Sequence, residues 1–98
     1  MKRTFTFKSN GREYKVCVKV KSLELDIYVW VLAHPNNRFF KYKYLGSKTR
    51  WIDTFPTIKQ AIDNGVNDIL QTYKTEIERY EKIKFFKENY WQIIKNML

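Results

Sequence analysis

Thr4-Phe5-Thr6-Phe7-Lys8-Ser9-Asn10-Gly11-Arg12-Glu13-Tyr14-Lys15-Val16-Cys17-Val18-Lys19-Val20-Lys21 is the stretch on which the fold turns. Polar and apolar residues alternate on both sides of Asn10-Gly11, the pair best suited to the positive backbone angles of a two-residue hairpin. Closing the hairpin there pairs Phe7 with Tyr14 and Phe5 with Val16 on one face. The other face then pairs Lys8 with Glu13 and Thr6 with Lys15, so a single register makes both faces chemically coherent. Working outward, Leu25 to Ala33 is apolar at both phases apart from Asp26, as in a central strand covered on both sides, and His34-Pro35-Asn36-Asn37 supplies a turn. Phe39 to Leu45 predicts a fourth strand. Gly46-Ser47 predicts its end, and Thr49 to Asp53 a short fifth.

From Thr57 onward the period lengthens. Ile58, Ile62, Val66, Ile69, Tyr73, Ile77 and Tyr80 recur at three- and four-residue spacing, the signature of an amphipathic helix. Thr57 suits the N-cap, Phe55 suits a staple on the first turn, and Gly65 is a weak point. The pattern continues through Ile83, Phe86, Tyr90, Ile94 and Met97. Both an unbroken helix and a helix broken once near Lys82 to Lys87 satisfy it. The expected fold is therefore α+β, a four- or five-stranded antiparallel meander packed on a long C-terminal helix. Its 98 residues suit one domain, with residues 1–56 forming a basic sheet and 57–98 the helical part.

Charge is unevenly divided between those parts. Residues 1–56 hold 12 Lys and Arg against 4 Asp and Glu, whereas residues 57–98 hold 7 against 6, so nearly all of the +9 net charge belongs to the sheet. An acidic partner is the expectation. Strand phase directs Lys15, Lys19 and Lys21 outward from the second strand. On the third, Ile27, Val29 and Val31 suit a core, while Tyr28 and Trp30 suit a wet surface. The fourth strand is read with Phe40, Tyr42 and Tyr44 inward and Lys41 and Lys43 outward. Arg50 or Lys48 would stand at the margin of the resulting face.

Lysines flanking aromatic rings form a surface on which phosphates are neutralised and bases stacked. Lysine also guards strand surfaces against aggregation, and rings also simply cover a sheet, so the same residues have a purely structural explanation. A small noncatalytic nucleic-acid-binding protein is the first expectation. The alternative is a mobile-element or phage-type inhibitor or adaptor, such as an anti-CRISPR, that meets an acidic protein or nucleoprotein target through the same charges. The junction Phe55-Pro56-Thr57-Ile58-Lys59-Gln60-Ala61 resembles the Phe-x-Thr-x-x-x-Ala strand-to-helix junction of the arm-binding domains of tyrosine recombinases, which lay a three-stranded sheet against DNA. The resemblance covers seven residues of 98 and assigns the chain to no family.

Catalytic and metal chemistry have little to work with. His34, the sole histidine, sits in a turn, and strand phase does not bring it to Cys17, the sole cysteine. Cys17 is expected to be a passive surface or edge thiol. Glu24, Asp26 and Asp53 lie on separate elements, where a cation site would cluster them. No enzyme activity, metal or cofactor is therefore expected. The lone cysteine fits a reducing, cytoplasmic setting. The longest uncharged apolar run, Ile27 to Ala33, falls far short of the ~20 residues that span a bilayer. Beyond the reach of the sheet, Phe86, Tyr90, Trp91 and Ile94 form an apolar stretch that must fold back, pair with a second copy, or meet another protein.

Overall fold

Hydrogen-bonded neighbours follow sequence order in the sheet: β1 (Lys2–Ser9), β2 (Arg12–Lys21), β3 (Glu24–Leu32) and β4 (Tyr42–Trp51) form a four-stranded antiparallel meander. These elements come from a computed structural model that describes residues 1–97, with the side chains of residues 91 and 93 outside that description. The first hairpin adopts the expected register, with Phe7 opposite Tyr14, Phe5 opposite Val16 and Lys8 opposite Glu13. Asn10 and Gly11 take φ of 54° and 76°, the left-handed pair that matches the twist of the two strands.

One helix-facing layer collects the aliphatic residues of β2, β3 and β4. Val16, Leu25, Ile27 and Val29 are fully buried there, joined by Tyr14, Val18, Val31 and Leu45. A single 3-10 turn, Ile52–Thr54, leads to α1 (Ile58–Thr72) and α2 (Lys74–Met97). Thr57 caps α1 as expected, its hydroxyl accepting from the Gln60 amide at 3.1 Å. The buried stripe of α1 is Ala61, Gly65, Val66 and Ile69, rotated from the expected one so that Ile58 is left exposed. Small residues let the helix come close. A Cβ on Gly65 would lie 2.4 Å from Ile27 Cδ1, so the apparent weak point is the place of tightest contact.

Two sequence expectations are corrected. Gly46-Ser47 does not end the fourth strand; residues 42–51 run as one strand, with a bulge where Val29 pairs with Gly46 and Trp30 with Tyr44. Leu45 is the extra residue, and it is buried in the core. The helix breaks once, but at Tyr73 rather than between residues 82 and 87. Tyr73 leaves helical geometry at φ −106° and ψ 26°, although the bonds from Tyr73 N to Ile69 O and from Ile77 N to Tyr73 O persist at 3.0 Å. Its ring lies against Gly46, where a Cβ would stand 2.4 Å from Cε2. The bulge, the glycine and the helix bend thus form one packing device.

Beyond the bend, Ile77 is buried and Tyr80 packs on the edge of the core. Arg12 binds Glu81 from the hairpin side, and Lys87 Nζ meets His34 Nδ1 at 2.8 Å. Burial and the positive charges of Lys87 and Lys43 hold the His34 imidazole below its ordinary pKa. Past these ties α2 overhangs the sheet. The molecule is 60 Å long with a radius of gyration of 16.2 Å, against roughly 13 Å for a compact chain of this length. Among the described residues no helix is long and apolar enough to cross a membrane.

Candidate nucleic-acid interface

Both helices lie on one side of the sheet, so its other face is open. The register assigns that face unambiguously, because residues directly opposed across antiparallel strands project to the same side. Lys2 opposes Lys19, which opposes Asp26; Thr6 opposes Lys15, which opposes Trp30, which opposes Tyr44. Tyr28 follows on the same side, opposite Cys17 and Ser47. Lys15, Lys19, Lys21, Tyr28 and Trp30 therefore share one surface, as expected from their phase.

Their side chains form a connected lattice. Trp30 lies between Tyr28 and Tyr44, with ring centroids 6.4 and 5.5 Å away. Lys15 Nζ stands 4.8 Å from the Trp30 centroid and 5.0 Å from that of Tyr42, while Lys19 Nζ stands 5.2 Å from Tyr28. Cross-strand pairing brings Lys15 and Tyr44 to Trp30, the two-residue repeat of β3 sets Tyr28 beside Trp30, and the negative ring faces attract the ammonium groups. The aliphatic lysine stems and aromatic bodies shelter what lies beneath them. Cys17 is consequently only 4% exposed, although no helix or strand covers its side of the sheet. It is a buried thiol rather than the expected surface one.

Two sequence assignments to this face are corrected. Lys43 opposes Val31, and Arg50 opposes Leu25, so both point toward the helices. The phase of β4 is the reverse of that expected: Tyr42 and Tyr44 face outward, and Leu45, the more apolar residue, takes the core position. Arg50 is held on the helix side by Asn64 at 2.9 Å and Asp68 at 2.5 Å. That guanidinium, and then the charge of Lys48, holds the Asp68 carboxyl below its ordinary pKa. Lys41 precedes β4 and reaches to 5.9 Å from the Tyr42 ring, at the edge of the lattice.

The open face also carries residues that charge counting overlooked. Lys2 and Lys8 project from β1, and Trp51, 52% exposed, stands at the end of β4. Acids share the surface too. Tyr42 donates to Glu13, which with burial pushes the phenol up to about 12, and Asp26 pairs with Lys21 at 3.4 Å. The positive charge of this face is thus interrupted by acids, Asp26 lying opposite Lys19 and Glu13 on the same side of β2 as Lys15. Only Tyr42 and Tyr44 had a usable sequence signal. A glycine inside a strand pattern marks a bulge, and a bulge reverses phase.

The remaining expected sites are placed as follows. Phe86 and Tyr90 sit on the overhanging part of α2 with ring centroids 5.4 Å apart, Phe86 being exposed and Ile94 half-buried. The side chain of Trp91 lies outside the described residues. Among the described residues, no three or more His, Cys, Asp or Glu side chains cluster as a metal site would require. No family model, curated protein or solved structure matches this chain.

Proposed function

We propose that the protein binds nucleic acid through the open sheet face, neutralising backbone phosphates with limited sequence specificity. One observation carries this: a whole face of the sheet, free of helices, presents lysine ammonium groups arrayed over aromatic rings, with Lys15 4.8 Å from Trp30. Lysines held on rings lose little further freedom on meeting a phosphate, and each neutralised phosphate releases counterions. The same face could meet an acidic protein or nucleoprotein surface, the second class of partner suggested by the charge. Direct measurement separates the two.

The test is binding of DNA and RNA across a salt series by the parent protein, Lys15→Glu/Lys19→Glu, and Lys74→Glu/Lys82→Glu. The last variant alters charge equally, on exposed helical positions. Log affinity should fall linearly with log salt, and the open-face variant should lose binding and flatten the slope by about 0.7–0.9 per phosphate contact removed. Equal losses in both variants would reduce the effect to net charge and sink the assigned face. No binding by the parent at low salt would reject nucleic acid and favour the acidic-protein partner.

A further inference from the structure

The central rings of the open face are already engaged, Trp30 and Tyr42 sharing Lys15, Tyr28 carrying Lys19 and Tyr44 leaning on Trp30, while Trp51 stands apart at the far end of β4. Stacking a base on the central rings means displacing a lysine or a neighbouring ring. A different pair of aromatics is free of that restriction. Phe39 and Phe40, in the connection between β3 and β4, are 83% and 65% exposed.

Hydrogen bonds shape this connection. The Ala33 and His34 amides both donate to the Lys41 carbonyl, at 3.1 and 3.0 Å, closing the loop at its neck. The Asn37 amide donates to the His34 carbonyl at 3.0 Å, making a turn. Asn37 Oδ1 then accepts from the Phe39 and Phe40 amides at 3.0 and 2.9 Å, a side-chain mimic of a backbone turn that sets both phenylalanines at the tip. Two large apolar side chains held in water by a bonded loop have no role in the core. Arg38 and Lys41 flank them, and no acid occurs anywhere in residues 33–43. Lys41 joins the loop to the lattice through Tyr42.

We propose that this loop is a stacking finger for unpaired bases, with Phe39 and Phe40 supplying free ring faces and Arg38 and Lys41 meeting the adjoining phosphates. The assignment rests on the nucleic-acid function of the open face and deepens it, because it names single-stranded segments as the preferred ligand. Bases in a duplex are stacked on each other and offer the rings no face, whereas every unpaired base does. The sheet lysines neutralise backbone on either kind of ligand, so discrimination falls to the finger.

Exposure at both positions means that substitution there leaves the core untouched. The experiment compares binding of a thymidine oligonucleotide, a duplex of equal length, and phosphatidylserine-containing vesicles by the full chain, Phe39→Ala/Phe40→Ala, and Phe39→Tyr/Phe40→Tyr. The alanine variant should weaken single-strand binding by roughly 5- to 150-fold for each stacked base lost, leave duplex binding nearly unchanged, and be rescued by tyrosine. Unchanged single-strand binding in the alanine variant, with the parent still binding, would overturn the finger and leave the open-face function standing. Equal losses for single strand and duplex would also overturn it. A parent that binds neither ligand would remove both proposals. Vesicle binding that disappears in the alanine variant, with oligonucleotide affinity unaltered, would assign the loop to an anionic membrane surface instead.

Discussion

Ile27 and Tyr28 are adjacent in β3, yet one is fully buried under the helices while the other stands half-covered on the open face beneath Lys19. The two faces of the sheet are built from the same strands and differ in what their residues can tolerate. On the helix side, branched aliphatic side chains have no polar tip to hydrate, so they gain by packing against α1. Tyrosine, tryptophan and lysine pair an apolar body with a polar end, and they shelter one another while keeping those ends wet. The contrast explains how a small domain leaves an entire sheet face without a covering layer. It also explains why that face, rather than the core side, is available to a partner.

The largest expected effect comes from breaking this contrast directly. Ile27→Ala should destabilise the fold by ~2–5 kcal/mol, because it removes a buried side chain and leaves a cavity beneath Gly65. Tyr28→Ala should lower the denaturation midpoint by clearly less. Comparable losses at the two positions would mean that the open face is covered in solution, by a second copy or another layer. Urea titration of both variants in parallel decides the matter.

A smaller effect is expected from acid, which probes how β4 is fastened to α1. Arg50 holds the Asp68 carboxyl below its ordinary pKa, so the folded state binds that proton less readily than the unfolded one. The resulting stabilisation is fully present above the ordinary aspartate value of about 4 and disappears as pH falls through the lower folded value. Asp68→Asn should therefore reduce stability at neutral pH and flatten this part of the acid dependence. An unchanged acid limb in the variant would remove the Arg50 contact from the account. Because the Asp68 side chain is only partly covered and its pair with Arg50 is in reach of solvent, the change should be well below that of Ile27→Ala.

Smallest of all should be the effect at Tyr42, which reports on the open face itself. Its phenol donates to Glu13 and is pushed up to about 12. The stabilisation from this bond is complete below the ordinary tyrosine value of about 10 and is lost as pH rises through the folded value. Glu13→Gln should bring the phenol back toward its ordinary range, measured as a difference between the alkaline absorbance titrations of parent and variant. Superimposed titrations would show that Tyr42 does not hold this contact in solution.

Much of this arrangement was legible residue by residue. Asn10-Gly11 dictated the first turn, and the turn dictated a register in which Phe7, Phe5, Tyr14 and Val16 share a face. Thr57 marked the helix start because its hydroxyl replaces a missing backbone partner. The outward phase of Lys15, Lys19, Tyr28 and Trp30 followed from the greater aliphatic content of the opposite phase. β4 resisted the same treatment. Alternation carried Lys43 outward from one side of Gly46, whereas the bulge at Leu45 turns Lys43, Lys48 and Arg50 all toward the helices. A period of two predicts faces only while the ladder stays in step.

By itself the sequence determined the first hairpin, the class of fold, the helix start and the concentration of positive charge in the sheet. Each of these follows from local backbone preference or from a repeating apolar pattern, and neither needs a distant residue. Tertiary structure decided the bulge, the bend at Tyr73 and the residues that line the open face. Leu45 enters the core because Tyr44 finds Trp30 across the strands, and Tyr73 leaves the helix because Gly46, 27 positions earlier, leaves room for its ring. Such choices are settled between side chains far apart in the chain, where packing outweighs the preferences of any single segment.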